Sequence, residues 1–144
     1  MDFLIRKMEL EDIEAVYSLG VSQKEFSSAS GTFWSQEQLK NWIRSPKDLL
    51  LVAEKDSQII GFSLYAVHSP TGKVTWENLY ISPKYRKLGI ASALTKEGLK
   101  QIKALGYTYI MLCVNAEDQE SFASFLEKFG FKRGSKVLWM DQIL

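Results

Sequence analysis

Between residues 49 and 114 the order of elements dictates how any sheet in this chain must be assembled. Leu49 to Glu54 and Gln58 to His68 read as strands, and Lys55-Asp56-Ser57 between them reads as a hairpin turn. Pro70-Thr71-Gly72 is a second turn, followed by a strand over Val74 to Ile81 that Ser82-Pro83 ends. Hairpins give antiparallel pairs. Next, Ala91, Leu94, Gly98, Ile102 and Leu105 recur at helical spacing, Gly106 follows as a cap, and Tyr107 to Val114 reads as a buried strand. A helix between two strands makes that last pair parallel, with a right-handed connection. The sheet must therefore be mixed, and helices on both faces are the natural way to cover it.

The flanking segments extend this plan. Phe3-Leu4-Ile5-Arg6 reads as a short first strand. Glu11 to Leu19 reads as a helix with Ile13, Val16 and Tyr17 on one face and Gly20 at its C-terminal cap. Ser22 to Phe33 is polar, small and aperiodic, a loop or broken helix. Ser35 and Gln38 form a capping box for a helix that buries Leu39, Trp42 and Ile43 and stops before Pro46. Phe122, Phe125, Leu126 and Phe129 make the stripe of a last helix ended by Gly130. Phe131–Lys132 and Val137–Met140 complete an expected total of about seven strands. The fold class is α/β with a mixed, mostly antiparallel central sheet. With 144 residues and no repeat or linker, residues 1–144 read as a single domain.

Composition excludes several functions. A hydrophobic fraction of 46% and a charged fraction of 24% are globular values, and a net charge of +1 does not suit a general nucleic-acid binder. The single cysteine, Cys113, allows no internal disulfide and no cysteine-ligated zinc, and it reads as a small buried hydrophobe. The single histidine, His68, leaves no metal cluster, so no metal is expected. No signal peptide or apolar run of roughly 20 residues is visible, so a soluble cytoplasmic protein without a membrane partner is the default.

The informative stretch is Leu79-Tyr80-Ile81-Ser82-Pro83-Lys84-Tyr85-Arg86-Lys87-Leu88-Gly89-Ile90-Ala91-Ser92, a strand that passes through a basic, glycine-containing turn into a helix. The first N–H groups of a helix lack intrahelical partners and carry partial positive charge. Gly89 lets a phosphate approach the backbone, Ala91 keeps the helix start uncrowded, and Arg86 and Lys87 add charge. On the residues alone, an anion site and a solvated connection both fit. The segment is neither a Walker loop nor a dinucleotide fingerprint, because the required glycines are absent.

Arg86, Gly89 and Ala91 resemble the Arg/Gln-x-x-Gly-x-Gly/Ala motif of the GNAT superfamily of N-acetyltransferases, and Asn78 to Tyr85 resembles that family's strand four and the turn after it. Glu127-Lys128-Phe129-Gly130-Phe131 resembles the family's Glu-Lys-x-Gly-Phe, and the element order matches over nearly the whole chain. The resemblance implies a single-domain GNAT fold in which strands four and five splay apart. It implies acetyl-CoA as cosubstrate, with the backbone N–H groups of Arg86, Lys87, Leu88, Gly89, Ile90, Ala91 and Ser92 on the pyrophosphate. Leu79 and Ile81 would pair their backbone with the pantetheine arm. An amine of a small molecule or peptide would attack the thioester directly. Glu77, nine residues before Arg86, stands where some family members carry a general base; in the absence of that role it is a strand-edge carboxylate. Asn78 is candidate polar lining, and Phe33 and Trp34 lie in the region from which the family builds its acceptor pocket, although core packing also accounts for them. The family's tyrosine acid is missing, because Leu126 stands in its place. That departure keeps a rival in view, a non-catalytic acyl-CoA-binding module. The resemblance leaves a homodimer open.

Overall fold

The protein is described here by a computed structural model covering residues 2–27, 33–117 and 119–144. Five strands form one sheet in sequence order: β1 (Leu4–Lys7), β2 (Leu49–Lys55), β3 (Gln58–His68), β4 (Lys73–Ile81) and β5 (Tyr109–Met111). The pairs from β1 to β4 are antiparallel and β4–β5 is parallel, as the hairpins and the crossover require. The helices are α1 (Ile13–Val21), α2 (Gln36–Ile43), α3 (Ile90–Ala104) and α4 (Glu120–Glu127).

The continuous apolar run of β2 is explained by two cores. Leu49, Leu51 and Ala53 point to one face, where Ile90, Leu94 and Ile102 of α3 and Leu126 of α4 cover them. Leu50 and Val52 point to the other, against Val16 of α1 and Leu39 of α2. Each buried Leu, Ile or Val among them contributes about 1.5–3 kcal/mol by leaving water. The chain leaving β1 is pinned by Arg6, which donates to Asp12 at 2.7 and 2.9 Å and to Glu54 at 2.7 Å. Burial alone would raise the Asp12 carboxyl, but the hydrogen bond from Arg6 holds it below its ordinary value.

The Ser35–Gln38 capping box is present, and α2 follows it. Other expectations need correction. Gly20 lies inside α1 rather than at its cap; a Cβ there would run into the Phe33 ring, so the residue is small to let Phe33 pack. The segment Ser22 to Phe33, by contrast, contains a short 3-10 turn over Lys24–Phe26, in keeping with a loop or broken helix, and residues 28–32 of it lie outside the described residues.

The sheet has five strands among the described residues, not about seven. Neither Phe131–Lys132 nor Val137–Met140 forms a strand, because a strand needs a partner and β5 offers only three residues, with Tyr109 turned to solvent. The strand expected over Tyr107 to Val114 shrinks to Tyr109–Met111, which leaves Cys113 beyond the sheet and exposed, not buried. Among the described residues no helix is long and apolar enough to cross a membrane.

Candidate active site

The site begins with an irregularity in β4. Leu64 of β3 faces Asn78, and the next residue, Tyr65, faces Trp76, so Glu77 has no partner across the pair. This extra residue is a β-bulge, which locally disrupts the ladder and re-aims side chains. Val74 and Trp76 enter the core beneath α3, whereas beyond the bulge Leu79 and Ile81 enter it and Tyr80 enters the core beneath α1 and α2. Glu77 is half-buried. Burial pushes its carboxyl above the ordinary value, and Lys73 partly opposes the shift. Asn78 accepts a hydrogen bond at Oδ1 from Trp34 Nε1 at 3.0 Å.

The second feature is an opening. The parallel pairing of β4 with β5 covers Lys73–Thr75 against Tyr109–Met111 and stops there. From Trp76 to Ile81, β4 runs on with no strand beside it on that side among the described residues. The backbone of Leu79 and the N–H of Ile81 therefore lie along a strand edge with no strand beside it, the kind of edge to which an extended ligand can pair.

At the end of this edge the chain makes a 3-10 turn over Pro83–Tyr85 and enters the loop before α3. Arg86 Nε donates to the Ile81 carbonyl at 2.9 Å, which ties the loop back to β4. Two residues of the loop are left-handed: Lys87 at φ +62° and Gly89 at φ +83°. Gly89 is the N-cap of α3, and its side-chain-free position leaves the first helical N–H groups without a side-chain cap. A cleft of about 430 Å³ opens in front of them. Its lining includes Ile81, Arg86, Lys87, Gly89, Ala91 and Ser92, all named from sequence, with Ile90 among them. Leu88 turns to solvent and is not part of the lining.

Three further lining residues, Tyr85, Phe125 and Lys128, were not anticipated. Phe125 reads in sequence as one of a core stripe and Lys128 as one of a solvated basic face. The signal that separates them is helical phase: Leu126 is only 3% exposed and packs in the core, which turns its neighbour Phe125 toward the cleft. The position that resembles the family's acid therefore points away from the cleft. Arg133 stays on the solvated face, where it pairs with the exposed Glu120 and Glu127.

Of the acceptor candidates, Trp34 and Asn78 are brought together, and Trp42 packs edge-on against Trp34 at 5.2 Å. Phe33 is different. It is 7% exposed and packed on Phe26 and Phe62 at 5.6 Å each, so it serves the core. His68 stays in its turn, bonded to Thr71. A larger hollow of about 540 Å³ lies at Arg6, Asp12 and Glu54, but the two carboxylates are taken by Arg6 and the hollow is lined by none of the residues just described. Among the described residues, no group of His, Cys, Asp or Glu is placed to hold a metal ion.

The family model of the GNAT acetyltransferases matches residues 13–131. The chain belongs to this family. A mycothiol acetyltransferase of Streptomyces avermitilis is 35% identical over 80 residues, which is 56% of this chain and 26% of that protein. The chain spans about a quarter to a third of the curated relatives it matches. Among solved structures, the PaiA N-acetyltransferase of Thermoplasma acidophilum, determined in complex with coenzyme A, is 26% identical with a TM-score of 0.72, covering 95% of this chain and 94% of that one. An aminoglycoside acetyltransferase from an uncultured soil sample superposes with a TM-score of 0.77 at 14% identity, covering 99% and 96%. The GNAT fold accounts for the mixed sheet, the parallel β4–β5 pair and the helices on both faces.

Proposed function

We propose that this chain transfers an acetyl group from acetyl-CoA to an amine by direct attack. The observation that carries the reading is the departure of β4 from β5 after Thr75, with the uncapped N-terminus of α3 and its cleft at one end of the gap and the half-buried Glu77 at the other. The cleft suits a pyrophosphate: helical N–H donors, a left-handed glycine that bares the backbone, and the side chains of Arg86, Lys87 and Lys128 for charge balance. Acetyl-CoA supplies the activated thioester when bound. The backbone edge of Leu79 and Ile81 would align the pantetheine arm. An N–H of β4 near the bulge would donate to the thioester carbonyl and stabilise the oxyanion that develops there.

Glu77 would take the proton from the attacking amine, directly or through one water. Its raised affinity for a proton suits a base that must accept one and then release it. Trp34 and Asn78, on the α1/α2 side, would line the acceptor. The acceptor is an amine of a small molecule or a peptide, with the relatives named above acting on unlike acceptors. The direct test is thiol release from acetyl-CoA with a panel of spermidine, glucosamine, kanamycin and a peptide with an N-terminal alanine, with the acetylated product identified by mass. Glu77→Gln is expected to lower turnover by roughly 10²-fold while acetyl-CoA affinity stays within a few-fold. Tight acetyl-CoA binding with no product from any amine would support the non-catalytic module instead.

A further inference from the structure

Trp76 precedes Glu77 and points into the core beneath α3, where it is 3% exposed. Its ring stacks on Tyr65 at 5.3 Å and 21°, and meets Phe122 at 6.5 Å and Phe131 at 5.9 Å. Any flat apolar ring would meet those contacts. The indole N–H does something a phenyl ring cannot. It is shared between Ser63 Oγ, at 2.8 Å, and the main-chain carbonyl of Asn78, at 3.1 Å. Ser63 is fully buried on β3 and faces Leu79 across the pair. One donor thus ties β3 to β4 around the bulge and ends on the residue immediately after Glu77. From the other face, the Trp34 indole donates to the side chain of the same Asn78 at 3.0 Å.

A bulge lacks a ladder partner and is soft unless something else fixes it. Two indole donors converging on Asn78 provide that fixation. We propose that Trp76 is a positioning residue: its shared N–H, held by Ser63, sets the bulge and therefore the placement of Glu77, with Trp34 bracing Asn78 from the acceptor side. The role rests on the reading of Glu77 as the base. It affects the rate of transfer and leaves cofactor binding alone: the cleft is built from the far end of β4, from α3 and from Phe125 and Lys128 at α4, and what Trp76 gives α4 is the ring contact with Phe122, not the N–H.

The test is a double-mutant cycle. Trp76→Phe keeps an aromatic ring against Tyr65 and removes the donor. Acetyl-CoA affinity, and turnover of the best amine in the panel above, are measured for Trp76→Phe, Glu77→Gln and the double variant. Trp76→Phe should bind acetyl-CoA within about two-fold of the original chain and turn over roughly 10- to 100-fold more slowly, the scale of a displacement near 1 Å at a reacting group. In the Glu77→Gln background the same change should cost less than about two-fold, because it acts through a group already disabled. An equal loss in both backgrounds would assign Trp76 to general packing and overturn the proposal. A slow Glu77→Gln beside a fast Trp76→Phe overturns the positioning role alone. A Glu77→Gln variant at full rate overturns the base reading, and the positioning role falls with it. If Trp76→Phe does not fold, replacement of Trp76 by 3-benzothienylalanine puts sulfur in place of the N–H in a ring of the same shape, and the same outcomes decide.

Discussion

Two glycines form a matched pair for testing the cleft. Gly89, at the start of α3, has φ +83°, and Gly72, in the β3–β4 turn, has φ +67°; a Cβ at either meets no atom within 4 Å. Replacement by glutamate therefore adds no clash in the free protein at either place and imposes the same left-handed strain, about 1–2 kcal/mol. For a chain of this size that is a loss of roughly 4–8 °C in Tm for each variant. The two should separate when ligand is added. At about 100 times its Kd, acetyl-CoA stabilises a fold that binds it by about 2.7 kcal/mol, or roughly 10 °C on the same scale. Gly72→Glu should keep that gain in full. Gly89→Glu should lose nearly all of it, because the open space around position 89 is where a phosphate would sit and a carboxylate would repel it. Differential scanning fluorimetry with and without acetyl-CoA reads both quantities. Equal ligand-induced shifts in the two variants would refute the assignment of the pyrophosphate to this loop.

Glu77→Gln should slow the enzyme yet steady the fold. Its carboxyl binds a proton more tightly folded than unfolded, so stability falls as pH rises from the ordinary carboxylate value through the raised one; the variant should melt higher than the original chain at pH 7 and level with it near pH 4, as pH-dependent melting would show. Gly98→Ala should cost about 1–3 kcal/mol by urea unfolding, because the new Cβ meets the Tyr65 hydroxyl. That hydroxyl is buried without a close hydrogen-bond partner, although the Ser63 hydroxyl that receives the Trp76 N–H is in its vicinity, so Tyr65→Phe should cost little alone and should recover most of the loss in the Gly98→Ala background. Phe125→Tyr would place a phenol in the cleft and should raise turnover by roughly two- to ten-fold if departure of the thiolate, whose pKa is near ~8.5 in free thiols, limits the rate. Leu126→Tyr should instead destabilise by about 1–3 kcal/mol, since that side chain is in the core, and unfolding curves of the two variants would separate these outcomes.

Local features were legible in the sequence. The strand, turn and helix of Leu79 to Ser92 could be read because each depends on residues a few positions apart, and the Ser35–Gln38 cap is of the same kind. Features that depend on pairing could not. The bulge at Glu77 exists only in the register of β4 against β3, where Leu64 meets Asn78 and Tyr65 meets Trp76. Likewise, β5 is short because it separates from β4, and its own composition carries no sign of that. The exchange of roles between Phe125 and Leu126 turns on one residue of helical phase, about 100° of rotation, finer than a stripe of four apolar positions can resolve. Phe33 and Trp34 are adjacent aromatics of similar character. Their different fates follow from the missing side chain at Gly20, which leaves room for one ring.

The separation of β4 from β5 also bears on how the chain is kept intact. Strands β1 to β4 are joined by three antiparallel pairings, two of them tight hairpins between β2 and β4, whereas β5 arrives after a helical crossover and holds on through three residues. Such a three-residue seam at the sheet edge should open readily, and amide exchange at Tyr109–Met111 should be fast. On the proposed binding mode, acetyl-CoA lies along this same seam and closes it. Survival of the chain against proteolysis would then follow the supply of acetyl-CoA, so that the protein persists when its substrate is plentiful and is cleared when it is scarce.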